Sequence, residues 1–448
     1  MTRLIDALRI DNNTKLSLVG SGGKTSALIS INKEWSTPAL FVATAHMGKD
    51  QVEHFNNHIT WTKEKNEIFR MTEKTILTGP GGQEPYMVFG VDPSLWGNIE
   101  KIGEVNRIPI FMESDGSKTR PLKAPAEHEP AIPPWANHVV VSVGLFVIGK
   151  PLSEQYVHRP QIFSDMTGLE INQPISLQSI VKMLINPRGG LKNIPCQARR
   201  TVLLNQLDRL KDKSDLSIIQ QQLLDYYDAV ITTSLMEKND NDQIGSKFNS
   251  VLTVNESIAG IILAAGNSRR MGQPKALLDW KGIPFVRACA LQAITAGLKP
   301  IYIIAGQEYE KIKEIVKDLP VKVILNQDWN EGQSSSVRTA IKSLPQKIGG
   351  AVFQLVDQPH ISVTLIRKLI YEHSISLAPI ILPETNGRRA NPVLFDRDTF
   401  EALTSIQGDF GGRLIFSQYP IRTLSWFDES ILLDVDTPED YKHLLELP

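Results

Sequence analysis

Residues Ile261–Gly282 read IILAAGNSRRMGQPKALLDWKG. The stretch opens as an apolar run and passes through Ala264, Ala265 and Gly266. It then carries two arginines, a Met-Gly pair and Lys275. An apolar strand that ends in small residues lets its backbone come close to a ligand, where a larger side chain would hold it off. Exposed N–H groups at such a turn bind phosphate oxygens. Arg270 and Lys275 then bring positive charge to the same oxygens. The pattern Leu263-Ala264-Ala265-Gly266-x-Ser268-x-Arg270-Met271-Gly272-x-x-Lys275 therefore reads as a holder for a polyphosphate.

Around this stretch lies a chain of 448 residues. At about 100–200 residues per domain, that length favours two domains. With 42% hydrophobic and 22% charged residues the chain has enough apolar material for full cores. A formal net charge of −1, with no long Lys/Arg run, argues against a nucleic-acid binder. The opening residues lack the apolar core of a signal peptide. The most apolar stretch, His138–Gly149, is well short of the roughly 20 residues that span a bilayer. Cys196 and Cys289 lie far apart in no metal spacing, which suggests a reducing compartment, the cytoplasm, and no structural zinc.

Apolar runs alternate with amphipathic segments along the whole chain. Strands are expected at Leu16–Gly20, Ala39–Ala45, Ile108–Ser114, His138–Gly144, Thr201–Gln206 and Asp228–Ser234. A second series follows at Ile258–Ala264, Pro300–Gly306, Val321–Asn326, Gly350–Asp357 and Ile431–Asp436. The polar stretch Met236–Ser257 separates the two series and reads as a boundary. The fold class is α/β, with two domains over residues 1–250 and 257–448, each built on a mostly parallel sheet. The first is a P-loop-like domain and the second a Rossmann-like one. Continuous apolar strands are those covered by helices on both faces. Such sheets bind ligands beyond the carboxyl ends of their strands, which is where both glycine turns fall.

In the second half, LVDQPHI places Asp357 after an apolar run, and DVDTPED places Asp436 after another. Mg²⁺ prefers carboxylate oxygens and keeps water and phosphate oxygens as its other ligands. Two such carboxylates beside a phosphate turn would hold it. A plainer reading of DTPED is a helix start, with Thr437 as cap and Pro438 in the first turn, and both readings can hold together. His360, next to Asp357, is read as local structure.

Ser257–Pro448 resembles the nucleotidyltransferases, of the MobA and MocA kind, that attach a nucleotide to the molybdenum cofactor. The resemblance rests on LAAGxSxRMGxxK, LVDQPHI and the loop NQDWNEGQSSSVRTAI. It extends to NGRRANPVLF and GDFGGR, and LAAG looks more like the cytidylyltransferase branch. It implies CTP as substrate, held by Leu263, Ala264, Ala265, Gly266, Ser268 and Gly272, with Arg270, Lys275 and Asp357 catalytic. It also implies Mg²⁺ on Asp357 and Asp436, and the molybdopterin cofactor on Ser334, Ser335, Arg388, Arg389, Asn391 and Arg413. The reaction would join the cofactor's terminal phosphate to the α-phosphorus of CTP and release pyrophosphate.

In the first half, LVGSGGKTSALI again joins a strand to a helix. Leu18 stands where the usual phosphate loop has its first glycine, so the loop is shorter. Gly20, Ser21, Gly22, Gly23, Lys24 and Thr25 remain, with backbone N–H groups, a cation and a hydroxyl suited to Mg²⁺. Glu113 and Asp115 end one apolar run and suit a supporting metal contact. Asn205 and Asp208 end another, with the spacing of a base-reading Asn-x-x-Asp that lacks its lysine. GSGGKT, ESDGSKTRPLKAPAEHEPAIP and GKPLSEQYVHRP together resemble the YqeC family, accessory proteins of selenium-dependent molybdenum hydroxylases. That implies ATP or GTP at this domain and a molybdenum hydroxylase apoenzyme as client; the charge and hydropathy of the chain add no nucleic acid and no membrane to the expected partners. His128 and His158 sit in the matching segments and read as structural. Two other readings stay open: a cofactor carrier or insertion chaperone switched by nucleotide, and a sugar-1-phosphate nucleotidyltransferase.

Overall fold

The computed structural model describes residues 2–63, 68–81, 86–116, 120–235, 249–266, 268 and 270–447. By contact density the chain divides into two compact units, Met1–Asn255 and Glu256–Pro448. Each is an α/β unit with a mostly parallel sheet.

In the first unit, nine strands form one sheet. Lys15–Gly20 lies near its middle, between His138–Gly144 and Ile110–Glu113, and is parallel to both. Beyond His138–Gly144 come Arg199–Asn205, Ala229–Leu235 and, at the edge, Asn249–Glu256. On the other side Leu40–Ala43, Thr75–Thr78 and Asn57–Thr60 follow, again parallel. All seven residues of His138–Gly144 are buried, as an apolar central strand covered on both faces must be. The segment expected as a plain boundary is part of this sheet: Asn249–Glu256 extends it past Ala229–Leu235. Residues 236–248, the rest of that boundary, lie outside the described residues.

The second unit holds an eight-stranded sheet. Ile258–Ala264 is central, with Ile301–Ala305 and Gly350–Leu355 parallel on either side and Lys322–Leu325 beyond. Val393–Asp396 runs antiparallel to Gly350–Leu355 and to Ile380–Thr385, which also pairs in parallel with Ile421–Ser425. Side chains of successive strand residues point to opposite faces. Ile262, Ile303 and Val352 accordingly pack with Phe285, Cys289, Leu365 and Leu369 from the helices Phe285–Ala296 and Val363–Ser376. Ile261, Ile304 and Phe353 pack on the other side with Val337, Ala340 and Ile341 of the helix Gln333–Ser343.

One expected strand is absent. Ile431–Asp436 is a 3₁₀ turn at Glu429–Leu432 followed by chain outside the sheet. Ile431 and Val435 are buried in the core, so the apolar alternation anchors a loop and builds no ladder. A single backbone bond, Val435 N–H to the Asp357 carbonyl at 3.2 Å, ties the segment down. Asp436 therefore does not end a strand. It reaches the site from the loop before the helix Pro438–Leu445, capped by Thr437 with Pro438 at its first position.

Candidate active site

In the second unit the central strand runs out at Ala264, and Ala265 is still buried. Gly266 is exposed, and a Cβ there would meet nothing within 4 Å. Neither packing nor a positive φ requires glycine at that point, so its value is bare backbone facing the space above the sheet. Ser268 adopts a left-handed conformation, φ 48°. Its carbonyl accepts from the N–H groups of Met271 and Gly272, both at 3.1 Å, and its Oγ accepts from Lys275 N–H at 3.0 Å. These bonds curl the chain back on itself, while buried Met271 and Ala276 pin it to the core. Asn267 and Arg269 lie outside the described residues.

The curl directs Lys275 toward two carboxylates. Its Nζ donates to Asp357 Oδ2 at 2.9 Å and to Asp436 Oδ1 at 2.5 Å. Arg270 pairs with the other oxygen of Asp436 at 2.6 Å from a largely exposed position. Burial pushes the Lys275 ammonium pKa down, but the charge of Asp357 and hydrogen bonds to Asp436 and Asp357 outweigh it, so the net shift is upward. Asp434, crowded by protein atoms near the same pair although its surface is exposed, is pushed up to about 6 by desolvation and by the charges of Asp357 and Asp436, against Arg413 and Lys275. His360 Nε2 donates to the Ser430 carbonyl at 2.8 Å. Its pKa is lowered, chiefly by burial. Gln358 Nε2 donates to the Ile431 carbonyl at 3.1 Å, a second tie from this turn to the loop carrying Asp436.

Whether Mg²⁺ suits these residues can be judged from their donors. No group of three or more His, Cys, Asp or Glu is arranged as metal ligands among the described residues. Mg²⁺ needs no such cage, because one or two carboxylates plus phosphate oxygens and water suffice. Asp357 and Asp436 already share one cationic atom, and Asp357 Oδ1 is buried without a hydrogen-bond partner. The pair fits a hard divalent cation.

Leu263, Ala264, Ala265, Gly266, Ser268, Arg270, Lys275, Asp357 and Asp436 all border one cleft of about 740 Å³. Gly272 is exposed on the curl and does not border it. The far wall contains Gln307 and Glu308, which the sequence did not single out, and Trp329, Gln333, Ser336 and Asp409, which lie in the segments NQDWNEGQSSSVRTAI and GDFGGR. Gln307 was within reach of the strand-end rule, since it follows Ile301–Ala305. Trp329 carried no such signal. A Cβ on Gly306 would meet its ring at 2.8 Å, so that glycine seats the indole beside the end of the central strand.

The expected pterin-side residues lie off the lining of this cleft. Ser334 and Ser335 are buried and do not border the cleft. Ser335 Oγ donates to the Gly332 carbonyl at 2.8 Å and accepts from Asn326, so it fastens the helix entry. Ser336 and Gln333 face the cleft in their place, because residues three apart share one face of a helix. Arg388 and Arg389 are exposed on a short hairpin strand, Asn391 is half-buried, and none of the three borders the cleft. Arg413 is exposed, and its charge acts on Asp434.

In the first unit the glycine turn lies against neighbouring strand ends. A Cβ on Gly20 would meet the Ser142 carbonyl oxygen at 2.4 Å, and one on Gly22 would meet Gly144 N at 2.3 Å. Both glycines also have positive φ. Lys24 Nζ donates to the Gly20 carbonyl at 2.6 Å and lies 3.4 Å from Asp115 Oδ1. Thr25 Oγ1 donates to Glu113 at 3.0 Å, and Gly20 N–H to Asp115 Oδ2 at 3.3 Å. Ser21 is buried. The structure thus brings Gly20, Lys24, Thr25, Glu113 and Asp115 together.

Asn205 does something other than read a base. Its amide donates to the carbonyls of Gly22 at 2.9 Å and Leu235 at 3.3 Å. Its oxygen accepts from Thr233 at 3.0 Å and from Leu235 N–H at 2.8 Å. Two donors and two lone pairs are all an asparagine has, so Asn205 is spent on tying the turn to the sheet. Asp208 is exposed. Three charged residues here were missed. Lys123 pairs with Asp115 at 2.9 Å and Glu129 at 3.1 Å, and Arg159 pairs with Glu129 at 2.5 Å.

Comparison with known proteins agrees with this division. Residues 16–161 match the model of the YqeC protein family, and residues 260–423 match the MobA-like NTP transferase domain. The YqeC protein of Escherichia coli is 36% identical over 221 residues, covering 47% of this chain and 81% of its own. Nicotine blue oxidoreductase of Paenarthrobacter nicotinovorans is 30% identical over 198 residues, 42% of this chain and 96% of its own. Molybdenum cofactor cytidylyltransferase of Escherichia coli is 24% identical over 181 residues, 40% of this chain and 92% of its own. The chain belongs to both families, joining an N-terminal YqeC domain to a C-terminal MobA-like NTP transferase domain.

Proposed function

We propose that this fusion of a YqeC domain and a MobA-like NTP transferase domain is a molybdenum cofactor cytidylyltransferase whose first domain binds a nucleoside triphosphate in a linked maturation step. The observation that carries the reading is the meeting of Lys275, Arg270, Asp357 and Asp436 at one strand end in one cleft.

The chemistry follows from charge. A terminal phosphate of molybdopterin attacks the α-phosphorus of CTP, and pyrophosphate leaves. Both reactants are anionic, so the protein's work is alignment and neutralisation, and a phosphate monoester needs no general base. The bare backbone at Ala265–Gly266 takes the triphosphate closely, with Arg270 and Lys275 on its oxygens. Asp357 and Asp436 would hold Mg²⁺, which supplies further neutralisation of phosphate charge. Gln333 and Ser336 stand where the acceptor would approach. A molybdenum hydroxylase apoenzyme is the client that consumes the product, and LAAG is the basis for choosing CTP.

The test is incubation of the full chain with each of the four triphosphates, Mg²⁺ and molybdopterin, measuring pyrophosphate. Release with CTP, lost in Asp357→Asn, supports the reading. Release with GTP instead makes the chain a guanylyltransferase, and release with sugar 1-phosphates moves the acceptor class. A second reading draws on the 30% identical relative, which is named an oxidoreductase. Oxidation or reduction of a substrate with no pyrophosphate from any triphosphate would favour it.

A further inference from the structure

Beneath the glycine turn of the first unit is a buried group of charges that nucleotide binding alone does not explain. A small cavity of about 20 Å³ lies there, lined by Gly20, Asp115, Lys123, Ser142, Pro125 and Gly190 among others. Resting on the reading that this unit binds a nucleoside triphosphate, we propose that it also hydrolyses it, with the attacking water held in this cavity by Ser142 and Asp115.

Size decides the acceptor. A cavity of this volume admits a water-sized molecule and excludes a sugar or a pterin. A buried water needs two to four polar partners, and two are present. Ser142 is 1% exposed, and its Oγ has no hydrogen-bond partner among the described residues. In the run Val139–Val143 it is the one polar residue, so packing gives no reason for it. Asp115 Oδ1 likewise accepts no hydrogen bond, and its nearest cation is Lys24 at 3.4 Å.

The two lysines on Asp115 differ in how they are held. Lys123 spends its three protons on Asp115 at 2.9 Å, the Gly116 carbonyl at 2.6 Å and Glu129 at 3.1 Å. It stays in place and keeps Asp115 oriented. Lys24 is bonded to its own loop, through the Gly20 carbonyl, and only loosely paired with Asp115. A triphosphate on the turn draws Lys24 to its oxygens and frees Asp115 Oδ1 for the water. The water oxygen then bonds to the γ-phosphorus as the bond from γ-phosphorus to the bridging oxygen breaks. One water proton passes to Asp115 and on to solvent, leaving nucleoside diphosphate and inorganic phosphate. Asp115 is the base, and Ser142 and Lys123 are positioning residues.

The experiment uses the full chain carrying Asp357→Asn, to silence the second unit, with ATP or GTP and Mg²⁺ and without CTP or pterin. Inorganic phosphate release is measured beside the affinity for a fluorescent nucleotide. Phosphate should appear. Ser142→Ala should slow it on the order of tenfold or more with affinity and melting temperature unchanged, since its hydroxyl bonds nothing in the fold. Asp115→Asn should slow it by about 10²–10⁴-fold, the usual worth of a general base. Bound nucleotide without phosphate release, or equal release by Ser142→Ala, overturns the inference while leaving nucleotide binding intact. Failure of either nucleotide to bind overturns the underlying reading and the inference with it.

Discussion

Replacing Lys275 by methionine separates the two roles of the lysine, as a clamp between carboxylates and as a partner for phosphate. Asp357 and Asp436 each accept a hydrogen bond from its Nζ, at 2.9 and 2.5 Å, so those oxygens lie no more than about 5.4 Å apart. With the ammonium gone, two negative charges at that separation repel by about 3 kcal/mol at an effective dielectric of about 20. Asp436 is 32% exposed, and solvent screening brings the net loss to about 1–2 kcal/mol. For a unit of this size that is a fall in melting temperature of about 2–8 °C in chelator. Mg²⁺ should return most of the loss, because a divalent cation between the carboxylates replaces the missing charge, and it should raise the variant more than the parent. Scanning calorimetry with and without Mg²⁺ reads both numbers, with the second unit's transition followed separately because a two-domain chain need not melt in one step. The pH dependence has a definite sign. The Lys275 pKa is raised on folding, so the clamp's contribution is full below the unfolded value near 10.5 and is lost as pH rises through the folded value. Pyrophosphate release should fall about 10²–10³-fold even with Mg²⁺ present, the scale of one lost charge-stabilising donor. A variant that melts at or above the parent in chelator, or that Mg²⁺ stabilises no more than the parent, refutes the clamp.

Two further outcomes follow from packing. Gly22→Ala forces a Cβ to within 2.3 Å of Gly144 N and 2.6 Å of the Pro121 carbonyl, at a φ of +77°, so the backbone itself must shift. The first unit's transition should drop by about 2 kcal/mol or more and nucleotide affinity with it, while the second unit's transition stays put, as calorimetry and titration would read. Of the two cysteines, Cys196 is exposed, whereas Cys289 is buried and its thiol pushed far up in pKa by burial. A thiol reagent should therefore label one site in the native protein and both after denaturation, by mass spectrometry.

Local pattern was enough for much of this molecule. The run Ile258–Ala264 was readable as a covered strand because every one of its residues is buried, and continuous apolarity is what double coverage leaves in a sequence. Gly266, Lys275 and Asp357 stood out because phosphate chemistry demands small residues, cations and carboxylates at strand ends, and the fold brings the three to one cleft. The same reasoning failed at Ile431–Asp436. An apolar alternation says that side chains are buried, not that the backbone has a strand to pair with, and here only one backbone bond to Asp357 exists. Nor could it choose among neighbours in the run Gln333–Ser336, where helix rotation turns Gln333 and Ser336 toward the cleft and Ser334 and Ser335 away from it.

The sequence by itself determined the class of the two sheets, the strand ends at which each glycine turn falls, and the residue types that meet there, because all three follow from chain-local periodicity and chemistry. Only the tertiary structure decided which distant groups share an atom. Lys275 meets Asp357 from 82 residues away and Asp436 from 161 residues away. Asp115 collects Lys24 and Lys123, and Asn205 closes on Gly22 from 183 residues away. Such meetings are set by strand order and by which side chains the core leaves room for, and neither is written in any short window of sequence.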